Sequence, residues 1–205
     1  MQIDYYYIGI SPFSYLGHQA IQDVAARHGA TLNIKPFNLF GVWEVSGAVP
    51  PAQRPPVRQR YRFLELQRSA EMRGVPITLK PAHFPADVTL ADSVTIAMIE
   101  KGMDPLSYMD NVYRAVWVND KDIADENVVS ECITSSGAQI DDFIDLAKSD
   151  AIAAIRAQNT QDAIDADAIG APAYVVDGEV FWGQDRIEYV DRMLETGRAA
   201  YSSEV

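Results

Sequence analysis

"GAPAYVVDGEVFWGQDR", Gly170–Arg186, holds two short apolar runs on either side of Asp177-Gly178. An Asp-Gly pair between two β-rich runs is a hairpin signal, because the tightest turns need positive φ at both central residues. From about Asp185 to Thr196 the apolar spacing becomes helical, so the chain closes as strand, strand, helix. Pro172 opens the first run. Proline removes a ladder donor and is tolerated mainly at strand starts and edges, so its place here marks a special backbone position.

Outward from this block, the N-terminal half supplies the rest of a sheet. Ile3–Ile10, rich in Tyr and Ile with little polar alternation, reads as a strand buried on both faces. From Tyr15 the residues Leu16, Ala20, Ile21, Val24 and Ala25 fall at helical spacing, and His28-Gly29 ends them with a C-cap signal. Thr31–Phe40 is a second strand, at the distance a parallel crossover needs. Residues 41–60, carrying several prolines, read as a loop or lid. Arg60–Arg73 is helical, 77–87 extended, and helical patterns follow over Thr89–Lys101, Pro105–Val118, Glu126–Ser135 and Asp141–Asp165. The order gives an α/β class, a thioredoxin-like fold with an inserted all-helical domain. Residues 1–40 and 160–205 form the discontinuous thioredoxin-like part, and residues 41–159 the loop, lid and helical insertion.

The chain has 205 residues, 48% hydrophobic and 22% charged, the proportions of a folded globular protein. Acidic residues outnumber basic ones by 29 to 17, for a formal charge of -12, which repels phosphate backbones and anionic lipid. Nucleic acid and membrane are therefore excluded as partners. No apolar stretch approaches the roughly 20 residues of a membrane span, and "MQIDYYYIGI" lacks the basic start of a leader, so the expected location is the cytoplasm. The one cysteine, Cys132, can form no internal disulfide, and His18, His28 and His83 show no metal-ligand spacing.

If Ile3–Ile10 is the first strand, Ser11-Pro12-Phe13-Ser14 occupies the active-site turn of a thioredoxin-like fold, where dithiol enzymes carry Cys-x-x-Cys. Neither serine can form a disulfide, so dithiol exchange at this turn is excluded. Ser11 as N-cap with Pro12 at N1 is also an ordinary helix start. The two readings are compatible, since the positive end of a helix favours any anion there, a thiolate from outside included. Pro172 then falls where such folds face this turn with a cis-proline.

These residues resemble the 2-hydroxychromene-2-carboxylate isomerases and kappa-class glutathione transferases, DsbA-like relatives of thioredoxin. The resemblance spans nearly the whole chain and rests on "SPFSYLG" (Ser11–Gly17), "KPFNLFG" (Lys35–Gly41), "HFP" (His83–Pro85), "DKDIAD" (Asp120–Asp125) and Gly170–Arg186. It implies glutathione as cofactor, with Ser11 donating to the glutathione sulfur and Phe13 beside it. It implies that Ala171, before Pro172, pairs its backbone with the cysteinyl part. Gln184, Asp185 and Arg186 would lie at the γ-glutamyl end, Asp185 on its ammonium and Gln184 with the helix amides on its carboxylate. A serine at a helix N-terminus without a base beside it is a poor nucleophile but a good donor to S⁻.

In the isomerases of this family a thiolate adds reversibly to a conjugated carbon, so that a double bond becomes single, turns, and re-forms. The expected partner is a small aromatic carboxylate or another electrophile, with a homodimer by resemblance. The substrate acid needs a cation: Lys35 is the first candidate and Arg60 or Arg62 the next. Phe40, Trp43, His83 and Phe84 are the expected substrate walls, with Tyr15 a further aromatic candidate. Two readings stand beside isomerisation: kappa-type conjugation of glutathione to an electrophile, and a non-catalytic thiol- or peptide-binding module. Where the family carries an Asn in a "TGN"-like loop, this chain has Ser46-Gly47-Ala48.

Overall fold

The computed structural model describes residues 1–203; the last two residues of the expected second α/β segment lie outside it. Four strands form one sheet: β1 (Gln2–Tyr7), β2 (Thr31–Pro36), β3 (Ala173–Val176) and β4 (Glu179–Trp182). Their order is β2-β1-β3-β4, with β2 parallel to β1 and the other two pairings antiparallel. Helix α1 (Pro12–His28) makes the parallel crossover, and α9 (Ile187–Thr196) follows the hairpin, preceded by a 3₁₀ turn at Gln184–Arg186. This is the thioredoxin arrangement. Among the described residues, nine helical segments, seven α-helices and two 3₁₀ turns, lie between β2 and β3.

Local chemistry sets these elements as the sequence implies. Ser11 caps α1, Pro12 takes its first turn, and Gly29 ends it at φ 61°. Asp177 and Gly178 both have positive φ, 49° and 86°, as the two-residue hairpin requires. The strand β1 is shorter than its apolar run. After Tyr7 the backbone leaves the ladder: Gly9 N–H donates to Asp92 Oδ1 (2.8 Å) and Ser11 N–H to Ile8 O (3.1 Å), which closes the turn into α1.

The expected second strand also ends early, at Pro36, because Asn38 caps a new helix, α2 (Leu39–Ser46), by accepting the Phe40 N–H (3.1 Å). The proline-rich loop is correspondingly shorter. Its last two prolines start α3 (Pro56–Arg73) rather than block a helix, since a missing N–H costs nothing in the first turn. Helices α4 (Thr89–Glu100), α5 (Leu106–Trp117) and α6 (Glu126–Ser135) match expectation within a residue. The single helix expected over 141–165 is broken into a 3₁₀ turn, a short α7 (Ile144–Ala147) and α8 (Asp150–Asp165), because Ser149 caps α8 at its Ile152 N–H. A division at residue 160 falls inside α8, which is tied to β2 by Asn159 Nδ2 donating to Pro36 O (3.0 Å) and by Lys35 with Asp162.

The run of tyrosines explains itself in the core. Tyr5, Tyr6 and Tyr7 are all buried. With the period of a strand, Tyr5 and Tyr7 share one side, where Tyr5 stacks on Tyr174 (5.3 Å) and Tyr7 O–H donates to Thr95 Oγ1 of α4 (2.6 Å). Tyr6 points the other way, edge-on to Phe37 and beneath the Lys35 ammonium.

Helix α4 is buried from Ala91 to Met98, and the one acid within that stretch, Asp92, is 1% exposed. Its Oδ1 accepts the Gly9 N–H, and Oδ2 faces Arg156 Nη2 of α8 at 3.6 Å. Burial pushes the Asp92 carboxyl up to about 7, against the opposing pull of Arg156 and of the Gly9 hydrogen bond. A carboxyl raised on folding binds its proton more tightly in the native state, so its contribution to stability is present at low pH and lost as pH rises from about 4 toward 7. Asp92→Asn keeps an acceptor for Gly9 without the charge. In denaturant titrations, wild type should lose stability relative to Asp92→Asn across that window, by up to about 1.4 kcal/mol per pH unit; a flat difference would show the carboxyl to be ionised throughout.

Candidate active site

Ser11 and Pro172 meet where β1 and β3, neighbours in the sheet, open into the α1 turn and the loop before β3. The Ala171-Pro172 bond is cis. Ser11 Oγ accepts the Ser14 N–H (3.1 Å), the N-cap bond, and donates to Ala171 O at 3.3 Å. That second bond is long for O–H···O, so the hydroxyl proton is weakly held and free to swing to a stronger acceptor. The Phe13 and Ala171 N–H groups have no partner among the described residues, and both residues are half-buried. Ser11, Phe13, Ala171 and Pro172 are thus brought together as the sequence implies.

Gly183 N–H donates to Pro172 O (2.9 Å), which sets the turn into α9 against the cis-proline loop. Gly183 has φ 106°, a left-handed value that favours glycine. Gln184 then turns inward, 6% exposed. Its Oε1 accepts Arg73 Nε (3.0 Å), its Nε2 donates to Ser69 Oγ (3.0 Å), and its carbonyl accepts Arg73 Nη2 (2.9 Å). The expectation that the Gln184 side chain holds a ligand carboxylate is corrected here: its carboxamide is occupied on both ends by α3. Its backbone N–H and that of Asp185 have no partner among the described residues. The Asp185 carboxylate is exposed and paired with the adjacent Arg186 guanidinium (2.8 Å). Arg186 therefore sits at the surface, its side chain also beside the Tyr189 ring (5.5 Å). At Gly17 of α1 an added Cβ would stand 2.8 Å from Gln184 Cβ, which shows how closely α1 approaches this turn.

The expected substrate residues divide. Lys35 is a correction: its ammonium binds Asp162 Oδ2 at 2.5 Å and covers Tyr6, so it joins β2 to α8 and is not free for a substrate acid. Phe40, 63% exposed, meets Trp43 edge-on (5.5 Å) at the outer side of α2. The end of α2 is held to the loop before Ala171 by Ser46 Oγ donating to Ile169 O (3.3 Å). This is a role for Ser46 that the "TGN" comparison did not suggest. Phe84 is half-buried between Trp117 (5.3 Å) and Arg62 (5.5 Å), and its bond to Pro85 is also cis. His83 is exposed, with Nδ1 3.7 Å from Asp122 Oδ2, and touches none of the groups around Ser11. Tyr15 donates its hydroxyl to Pro76 O (2.7 Å) and belongs to the core.

Sequence reasoning missed Arg73 and Ser69. The available signal was their spacing: Arg62, Leu66, Ser69 and Arg73 share one face of α3, and Leu66 is fully buried. Cys132 is buried on α6, where desolvation pushes its thiol up to about 11. The chain therefore brings no sulfur of its own to the Ser11 turn.

A family model described as the DSBA-like thioredoxin domain matches residues 2–195. The 2-hydroxychromene-2-carboxylate isomerase of Sphingobium xenophagum is 28% identical over 194 residues, covering 94% of this chain and 97% of that protein. Glutathione S-transferase kappa 1 of Caenorhabditis elegans is 26% identical over 206 residues, covering 95% and 91%. A solved structure of a 2-hydroxychromene-2-carboxylate isomerase superposes with a TM-score of 0.80 at 25% identity, covering 96% of this chain and 95% of that one.

The geometry separates two neighbouring residues. Gln184→Ala should lower stability by about 1–3 kcal/mol, because it removes the acceptor of Arg73 Nε and the donor to the buried Ser69 hydroxyl, while Arg73 Nη2 keeps the residue 184 carbonyl and Glu188 Oε1 (2.9 Å). Asp185→Ala should leave the melting temperature within a degree or two, since it removes only an exposed pair. Calorimetric melting of the two variants checks this; equal losses would show that Asp185, too, is structural.

Proposed function

The chain belongs to the DSBA-like thioredoxin domain family, and on that premise we propose that it is a glutathione-dependent isomerase of the 2-hydroxychromene-2-carboxylate isomerase type. The observation that carries the reading is the Ser11 hydroxyl at the N-terminus of α1, 3.3 Å from Ala171 O and beside the cis-proline. Two isomerase relatives, one by sequence and one by structure, span nearly the whole chain. Among the described residues no helix is long and apolar enough to cross a membrane, and we read the protein as a cytoplasmic enzyme acting on a small aromatic carboxylate.

The residues present fit glutathione. Ala171 offers an N–H without a partner and a carbonyl held only by the long Ser11 bond, the two groups an extended cysteinyl backbone pairs with in β-addition. The Phe13 N–H points from the first turn of α1, where the helix dipole favours negative charge. The exposed Asp185 carboxylate and the Gln184 and Asp185 N–H groups suit an α-amino acid terminus, ammonium on the first and carboxylate on the others.

Bound glutathione would supply a thiolate able to add to a conjugated carbon and leave again. Ser11 makes that thiolate available: rotation of its hydroxyl from Ala171 O to the sulfur gives a charge-assisted hydrogen bond that favours S⁻ over SH. Ser11 cannot replace the sulfur as nucleophile, since no His or carboxylate contacts its Oγ to take the proton. Ser14 cannot help either; its Oγ is fully buried and unpartnered. Kappa-type conjugation is the second reading, favoured by the transferase relative, and it needs the same activated thiolate.

Ser11→Ala should lose about 1 kcal/mol of stability as a lost cap. It should also raise the midpoint at which bound glutathione ionises, read as thiolate absorbance in the ultraviolet. Equal midpoints in wild type and variant would remove Ser11 from the mechanism. Product analysis separates the readings: isomerisation returns free glutathione, conjugation leaves a thioether, and a binding module turns over no electrophile.

A further inference from the structure

Ten of the seventeen Lys and Arg side chains are paired with carboxylates among the described residues. In a chain with twelve more negative than positive charges, unpaired cations need a reason. Five of the seven without such a partner fall within residues 54–80: Arg54, Arg58, Arg60, Arg62 and Lys80. Arg62 is the least ordinary of them. It is half-buried, it makes no hydrogen bond or ion pair among the described residues, and its guanidinium lies over the Phe84 ring at 5.5 Å. Arg54 is close enough to repel it and lies over Trp43 at 6.0 Å, its Nε donating to Val49 O. Burial and Arg54 together push the Arg62 guanidinium down to about 10, so it stays charged at neutral pH while lacking a counter-charge.

The two arginine–aromatic pairs involve α3 and α2, the two helices bonded to the turns on either side of Pro172. Arg62 continues the α3 face of Leu66, Ser69 and Arg73, about 10 Å along the helix from Ser69, which holds Gln184 beside the cis-proline turn. Trp43 lies on α2, whose last residue, Ser46, is bonded to Ile169, two positions before Ala171. With its guanidinium over Phe84 and no hydrogen-bond partner among the described residues, Arg62 keeps its donors unused, and a guanidinium fork matches a carboxylate in two parallel hydrogen bonds. We propose that Arg62, with Arg54 beside it, is the specificity-determining cation that binds the carboxylate of an aromatic substrate, next to Phe84 and Trp43. This assignment rests on the isomerase reading and replaces Lys35 in the role expected from sequence.

The test uses two unreactive probes of one shape, trans-cinnamate and cinnamamide, titrated calorimetrically into the full-length protein saturated with glutathione. Wild type should bind cinnamate about tenfold more tightly than cinnamamide at low salt, the worth of one charge-assisted pair. Arg62→Met should bring the two within about twofold while glutathione affinity is unchanged, and Arg62→Lys should restore part of the preference. Equal binding of the two probes by wild type overturns the proposal without any variant, so a variant that fails to fold does not shelter it. An Arg62→Met protein that keeps the preference, or that loses glutathione affinity instead, also overturns it. The readout is independent of turnover: unchanged glutathione ionisation in Ser11→Ala would sink the isomerase reading while the cinnamate preference stood, and the reverse pattern would sink the subsite alone.

Discussion

Residues 11 and 171 meet because β1 lies between β2 and β3. The central strand is fully enclosed, Tyr5 and Tyr7 on one side and Tyr6 on the other, and both of its neighbours hydrogen-bond along it. Its C-terminal end delivers Ser11 to the top of α1, and the start of the antiparallel β3 delivers Pro172 to the same edge. The inserted helices then fix that edge from below and from the side: α4 through Asp92 and Gly9, α3 through Arg73, Ser69 and Gln184, and α2 through Ser46 and Ile169. The helical insertion therefore does more than cover the sheet. Each of its three contacts ends on a backbone or side-chain group within three residues of the turn, the cis bond or the start of the last helix.

On the proposed reading, that arrangement accounts for how a thioredoxin platform would work without a cysteine pair. A dithiol site needs two sulfurs in the turn; a thiol-borrowing site needs a donor at the helix mouth and an open strip of backbone opposite. In that reading Ser11 would be the donor, its cap bond from Ser14 N–H holding the oxygen in place while its proton rests on Ala171 O. The half-buried Ala171 would be the strip. The same positive helix end that stabilises a thiolate in dithiol relatives of the fold acts here on whatever anion docks.

Local chemistry made much of this legible. Ser-Pro at a helix start and Asp-Gly in the hairpin have local physical readings, and the capped α1 turn and the hairpin are present as those imply, whereas the cis bond at Ala171-Pro172 followed from the thioredoxin-like order of elements rather than from local chemistry. What sequence could not show was which partner a polar side chain takes across the fold. Lys35 ends a strand near the turn and looked free for a substrate, yet Asp162, 127 residues on, binds it. Gln184 belongs to a binding motif by position and to a packing contact by geometry. Asp92 is the one acid in the buried stretch of α4, and the approach of Gly9 and Arg156 explains its survival there. Element ends moved for similar reasons: β1 stops where Gly9 turns to Asp92, and α3 starts early because proline is welcome in a first turn.

The seclusion of Cys132 has a practical corollary. Its thiol is covered by α6 and its neighbours and is difficult to ionise, so thiol-directed reagents applied to the native molecule find almost nothing belonging to the polypeptide. Any rapid alkylation or disulfide exchange recorded on the folded enzyme with a small thiol present reports that guest molecule and its surroundings. The architecture thus leaves the polypeptide chemically silent toward sulfur reagents, a clean background against which a visiting thiol can be watched directly.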